Sequence, residues 1–165
     1  MSDFSHESIA ESLKSRFGSK ILEVETPYDF LTITIDHDSI VPIIQFLHND
    51  LSYRFLTTCF GMHFPHAPKE FAMVYQLHNL EKNARIRLKA FTHHDPPVFP
   101  TLTGIFKAAN WMEREAYDFF GFRFTGHPDL RRILNMDSLE GWPLRKEFPL
   151  EDPFRKDKDD KMFGR

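Results

Sequence analysis

Ala84-Arg85-Ile86-Arg87-Leu88-Lys89-Ala90-Phe91-Thr92 alternates apolar and polar side chains with a period of two. That pattern suits a β-strand with one face buried and the other in water. Ile86, Leu88 and Ala90 take the dry face, and Arg85, Arg87 and Lys89 take the wet one. Two further extended runs precede it, Arg54 to Phe64 and Glu70 to His78, separated by short turn-forming stretches. Three strands in succession predict a largely antiparallel or mixed sheet rather than a βαβ array.

Working towards the N-terminus, Ser5 is placed to cap a helix whose Ile9, Leu13 and Phe17 fall on one face, with Gly18 positioned to end it in a left-handed turn. Strand signals follow at Ile21 to Val24 and Phe30 to Ile35, on either side of the turn Thr26-Pro27-Tyr28-Asp29, and predict a hairpin. Asp38 is then expected to cap a second helix that turns Ile40, Ile43, Ile44 and Leu47 inward, with Pro42 in the first turn, where a missing N–H is tolerated. The order α-β-β-α-β-β-β predicts an α+β fold, a two-layer sandwich of a mixed sheet with two helices on one face.

Towards the C-terminus the texture changes at His93-His94-Asp95-Pro96-Pro97, because paired prolines resist both helix and central strand. They predict a hinge, dividing the chain into a core at 1–97, a segment of short helices and extended chain at 98–150, and a charged tail at 151–165. Thr103 is expected to cap a short helix, and a helical stretch should run to Phe120 and stop at Gly121. Beyond it Pro128, Pro143, Pro149 and Pro153 interrupt regular structure. Ordering such a ribbon costs about 1 kcal/mol or more per residue. Phe122, Phe124, Leu130, Ile133, Leu134, Trp142, Leu144 and Phe148 are spaced as anchors that would offset this by burial, and the mixture of aromatic residues and arginines favours burial against a partner.

With 165 residues, the chain is large enough for one ordinary domain. A net charge of −3 offers no electrostatic attraction for nucleic acid or an anionic membrane surface. No apolar run is long enough to span a bilayer, and the residues from Met1 to Glu7 have neither the basic nor the apolar region of a signal peptide; a cytoplasmic protein is expected. Cys59 is the single cysteine, too few for an iron–sulfur cluster or an intrachain disulfide. No glycine-rich dinucleotide or phosphate loop is present.

The charged residues that invite a chemical reading lie between Glu113 and Lys146. Glu113, Asp118 and His127 could form an acid–base constellation, but Arg114 and Asp118, four apart on a helix, more simply predict an ion pair. His127, between Gly126 and Pro128, belongs in a tight turn where its ring bonds a backbone carbonyl or a carboxylate. The pairs His63 with His66 and His93 with His94 lack a third ligand at metal-binding spacing. Arg131, Arg132, Arg145 and Lys146 stand near Asp129, Glu140 and Glu147, so protein carboxylates are their expected counterparts. No catalytic, cofactor-binding or metal-binding residue is assigned. An acid–base enzyme and an RNA-binding α+β domain remain as rival classes.

The order Glu113-Arg114-Glu115, Asp118-Phe119-Phe120, His127, Arg131, Ile133-Leu134 resembles the signature of the 30 kDa-type (C-type) subunit of NADH:quinone oxidoreductase, respiratory complex I. Gly121, Pro128, Asp129, Arg132, Glu140, Gly141, Pro143, Leu144, Arg145 and Lys146 extend the resemblance, which is sharpest over Trp111 to Leu150. Two departures lie near its end: Leu139 stands where the family usually has tryptophan, and Trp142 stands where it usually has histidine or tyrosine before the proline. The resemblance implies a non-catalytic structural subunit of the peripheral arm on the cytoplasmic side of the bacterial inner membrane. It also implies that these signature residues face the 49 kDa-type subunit and the small iron–sulfur subunit near the quinone site, Arg131 and Arg145 through intersubunit pairs. FMN, iron–sulfur clusters and quinone would all reside in other subunits, with no cofactor on this chain. Related subunits of ferredoxin-linked complexes and membrane-bound hydrogenases share the pattern, so the electron donor stays open.

Overall fold

In the computed structural model, residues 5–149 are described. Helix α1 spans His6–Phe17; the Ser5 hydroxyl accepts the Ser8 amide at 3.2 Å, and Gly18, at φ +53°, closes the far end. The serine oxygen satisfies an otherwise orphaned amide as expected, whereas Gly18, at ψ −121°, ends the helix with a positive φ but outside the left-handed turn its position predicts. Strands β1 (Ile21–Glu25) and β2 (Thr32–Ile35) form the expected antiparallel hairpin, with Val24 opposite Ile33. Helix α2 (Ile40–Asn49) buries Ile40, Ile43, Ile44 and Leu47, the face its spacing predicts.

Asp38 does not cap α2. It lies in the 3-10 turn His37–Ser39, exposed, with its carboxylate 3.2 Å from His37 Nδ1, and the residue before the helix is Ser39. The tighter turn carries the chain into the helix and directs the Asp38 side chain to solvent instead of to the first amides.

Strands β3 (Phe55–His63), β4 (Phe71–Asn79) and β5 (Ala84–Thr92) form an antiparallel meander, and β5 pairs in parallel with β2, so the sheet order is β1-β2-β5-β4-β3. The fold is α+β with a mixed sheet, as the strand runs predict. In β5, Ile86, Leu88 and Ala90 are buried between less buried Arg85, Arg87 and Lys89. Phe71, Met73, Tyr75 and Leu77 of β4 share their cluster with residues of both helices. A short parallel pair of β6 (Val98–Pro100) and β7 (Arg123–Thr125) lies beyond. Three-residue strands are too short for a period of two to register, and neither is foreseen from the sequence.

The prolines that predict a hinge fall between β5 and β6, yet the chain on both sides builds one core: Phe99, Leu102, Phe106, Phe122 and Phe124 join the cluster that contains Ile9, Ile43 and Leu88. Phe122 stacks on Phe99 with ring centroids 5.5 Å apart and meets Phe71 edge-on at 5.8 Å. Two of the supposed partner anchors, Phe122 and Phe124, are thus consumed at home. Thr103 caps no helix; its amide bonds the Thr101 hydroxyl within a turn, and helix α3 begins only at Ala109. The expected tail at 151–165 lies outside the described residues.

Candidate functional site

Helix α3 (Ala109–Phe120) sets Glu113, Arg114 and Asp118 in the interior while Trp111 and Glu115 remain exposed. Burying three charged side chains is tolerable only when each finds partners. Position 61 on β3 helps the helix end approach, because a Cβ on Gly61 would lie 3.1 Å from both Phe120 and Phe122.

Asp118 is fully buried and organises the loop that follows β7. Its Oδ2 accepts the amides of Ile133, Leu134 and Asn135 at 3.1, 2.8 and 2.9 Å, and its Oδ1 takes Arg132 Nη1 at 3.1 Å. Burial by itself would raise this carboxyl, but the three amides overrule it and hold it down to about 2. Arg132 also donates to the carbonyls of Leu139 and Gly141 at 2.9 and 3.3 Å. Arg114 forms no pair with Asp118. Its Nε and Nη2 donate to the carbonyls of Arg131 and Arg132 at 3.1 and 3.0 Å, since the carboxylate is already saturated by amides. Carboxylate and guanidinium thus grip the loop backbone as acceptor and donor.

A second clamp sits at the helix C-terminus. Gly121, at φ +76°, donates its amide to Tyr117 O, and Trp142 lies so close that a Cβ there would stand 2.5 Å from its ring. Trp142 also meets Tyr117 edge-on at 5.4 Å and lies under the Arg132 guanidinium at 5.0 Å. The displaced indole has its own berth, glycine below and guanidinium above. Arg145 donates Nε to Phe120 O at 2.7 Å and forks onto both oxygens of Asp95 at 3.1 and 2.9 Å, over the Phe71 ring. Arg145 therefore has a bidentate partner within its own chain, Asp95. Arg131 also has a partner of its own chain, Asp129 at 2.9 Å, though it stays exposed. The Lys146 amide donates to His63 Nδ1 at 3.0 Å, and that imidazole stacks on Phe71.

Glu113 closes the other end of α3. Its Oε1 accepts the Leu102 amide at 2.7 Å and its Oε2 takes the Thr101 hydroxyl at 2.6 Å. Burial raises its carboxyl to about 7 against the opposing pull of those two bonds. His127 Nε2 lies 4.0 Å from the same carboxylate and 3.2 Å from Asn110 O, while the Asp129 amide donates to Nδ1. This is the tight-turn histidine the sequence predicts, held by a backbone carbonyl and beside a carboxylate.

Every buried charge of α3 is thus turned onto backbone, and apolar side chains are turned out. Trp111, Leu134, Met136 and Leu144 are about half exposed or more, and Ile133 is 37% exposed. Pro128, Asp129, Glu140, Gly141 and Lys146 are likewise at the surface, with Pro143 partly buried. Among the described residues, no helix is long and apolar enough to cross a membrane.

The family described as "Respiratory-chain NADH dehydrogenase, 30 Kd subunit" matches residues 33–154, more than half of the chain. The chain belongs to that family. It is 41% identical over 145 residues to the C 1 subunit of NADH-quinone oxidoreductase from Rhizobium meliloti (strain 1021), covering 86% of this chain and 71% of that one. Its fold matches a trypsin-resistant fragment (1–134) of Nqo5 with a TM-score of 0.66 at 25% identity, over 75% of this chain and 98% of that one. A chain of the membrane-bound sulfane sulfur reductase, an archaeal respiratory membrane complex, shares the fold at 23% identity and a TM-score of 0.73, over 93% of this chain and 96% of that one.

Within this 30 kDa-family chain the structure brings Glu113, Arg114, Asp118, Gly121, His127, Arg132 and Arg145 together around α3 and leaves Glu115, Asp129, Arg131, Glu140 and Lys146 facing outward. The sequence reading does not find Asp95, Thr101 or Asn110. Each is a single polar residue whose role comes from distant contacts that no local spacing encodes.

Proposed function

We propose that this chain is a non-catalytic structural subunit of the peripheral arm of a proton-translocating NADH:quinone oxidoreductase, on the cytoplasmic side of the bacterial inner membrane. It braces the 49 kDa-type and small iron–sulfur subunits beside the quinone site and carries no cofactor or metal of its own. One observation carries this reading: buried charges spend themselves on the chain's own backbone to hold the loop at 131–146 in a set path, and that loop turns Ile133, Leu134, Met136 and Leu144 outward. A rigid surface with apolar anchors and a polar rim suits a permanent protein contact. Electron transfer and quinone binding depend on geometry that packed neighbours must hold, so rigidity is what this chain contributes. The exposed signature residues Glu115, Pro128, Asp129, Arg131, Glu140 and Lys146 form the rim, and the buried ones keep it in shape.

The test is co-purification of the tagged full chain, with mass spectrometry of what accompanies it. The expected companions are the 49 kDa-type and small iron–sulfur subunits together with flavin- and NADH-binding subunits. The double substitution Leu134→Asp, Met136→Asp should leave the circular dichroism of the chain unchanged and remove those companions. Undiminished assembly with both aspartates present would sink the brace.

A further inference from the structure

The polar cluster at the start of α3 has a property that bracing does not use. Glu113 is fully buried, and among the described residues the only group at ion-pair distance from it is His127. That imidazole is engaged at both nitrogens elsewhere: Nδ1 accepts the Asp129 amide, and Nε2 lies 3.2 Å from Asn110 O. The other ionisable groups influenced by Glu113 are the Cys59 thiol of β3 and the Tyr75 hydroxyl of β4, both buried and pushed up in pKa, first by their own burial and then by charged neighbours that include Glu113. The Tyr75 hydroxyl has no hydrogen-bond partner among the described residues. No cation among the described residues compensates a charge on Glu113, and an ionised carboxylate there would rest on one amide and one hydroxyl.

A route for the proton is present. Glu113 Oε2 bonds Thr101 Oγ1 at 2.6 Å, Thr101 Oγ1 bonds Thr103 Oγ1 at 3.0 Å, and Thr103 is only partly buried. We propose that Glu113 is a proton-controlled latch, whose buried carboxyl takes up and releases one proton through the Thr101–Thr103 hydroxyl pair and so sets how tightly the turn at 101–103 is fastened to α3. On release, the carboxyl proton passes to Thr101 Oγ1, the Thr101 proton to Thr103 Oγ1, and the Thr103 proton to water, leaving both hydroxyls intact. The charge left behind strains a clamp that has no cation, and the turn loosens.

The sign follows from the burial. The folded chain holds this carboxyl at about 7 and the unfolded chain at about 4.3, so the folded state binds the extra proton between those values. Stability therefore falls as pH rises through that window and levels off above it.

The experiment uses the full chain, as wild type, Glu113→Gln and Thr101→Val. Wild type should show an infrared carbonyl band of a protonated buried carboxyl at pH 6 that fades by pH 8.5 and is missing in Glu113→Gln. The amides of Leu102 and Thr103 should lose protection over the same range by about tenfold more than the chemistry of exchange requires, and Glu113→Gln should abolish that excess. Thr101→Val, lacking the relay, should keep the band but exchange its proton more slowly. The latch is refuted if the band is absent at pH 6, or if Glu113→Gln leaves the pH dependence of Leu102 and Thr103 protection unchanged. The infrared readout keeps the test decisive even where a variant folds poorly.

Discussion

The sheet and its two N-terminal helices are held in a different way from the loop around α3, and the contrast explains how each is written in the chain. In the first region, Ile33, Ile43, Leu47, Ile86 and Leu88 are entirely buried apolar side chains repeated at the period of their element. In the second, Asp118, Arg114, Arg132 and Arg145 reach across to main-chain atoms between seven and 25 residues away, and few of the loop's own side chains are buried. Apolar burial is non-directional and distributes stability over many residues. A carboxylate accepting three amides is directional and concentrates it in one. The first region should therefore tolerate moderate change almost anywhere, whereas the second should fail at a few positions.

The largest effect expected from breaking that contrast is Asp118→Ala. It strands three amides and one guanidinium and should cost about 3–5 kcal/mol for opening of the loop. Hydrogen exchange checks it: Ile133, Leu134 and Asn135 should lose protection while β4 and β5 keep theirs. Equal loss in both places would mean that the regions are not separately held. Acid should mimic the substitution, because Asp118 sits at about 2 when folded and about 3.9 when unfolded, so its contribution is complete above the unfolded value and disappears as pH falls through about 2.

A smaller effect is expected from Gly121→Ala, which forces a side chain into a left-handed backbone and against Trp142. The cost should be about 1–3 kcal/mol, read as a lower melting temperature with altered tryptophan emission. An unchanged emission would show that Trp142 does not depend on that close approach. The smallest is Arg131→Glu: its side chain is 70% exposed and its ion pair is with Asp129, so stability should move by no more than about 0.5 kcal/mol in a denaturant titration. A loss as large as that of Asp118→Ala would place Arg131 among the clamps and redraw the division between inner and outer signature residues.

How much could be read in advance follows the same line. Ser5 and Gly18 bound α1 where local capping chemistry predicts, and the alternation of β5 predicts which residues are buried, because both depend on neighbours within a turn or two. The start of α2 is misread by one residue, since the 3-10 turn His37–Ser39 leads directly into the helix and neither Asp38 nor Ser39 caps it with a side chain. The pairing of Arg114 with Asp118 is misread for a deeper reason. Helical spacing permits it, but Asp118 has a better use in three amides that approach from residues 133–135. The partner of Arg145 is 50 residues away at Asp95, and nothing near either residue announces the other.

The amino-acid order by itself determined the α+β class, the succession of the first seven elements and the membership carried by Glu113, Arg114, Asp118, His127 and Arg131, because period, caps and motif spacing are properties of residues close along the chain. Tertiary structure alone decided that Phe122 and Phe124 belong to the chain's own core, that β2 lies beside β5, and that Arg114 and Asp118 each bind the backbone of a distant loop rather than each other. Those outcomes depend on which distant atoms compete for the same carboxylate or guanidinium, and only the folded geometry sets that competition.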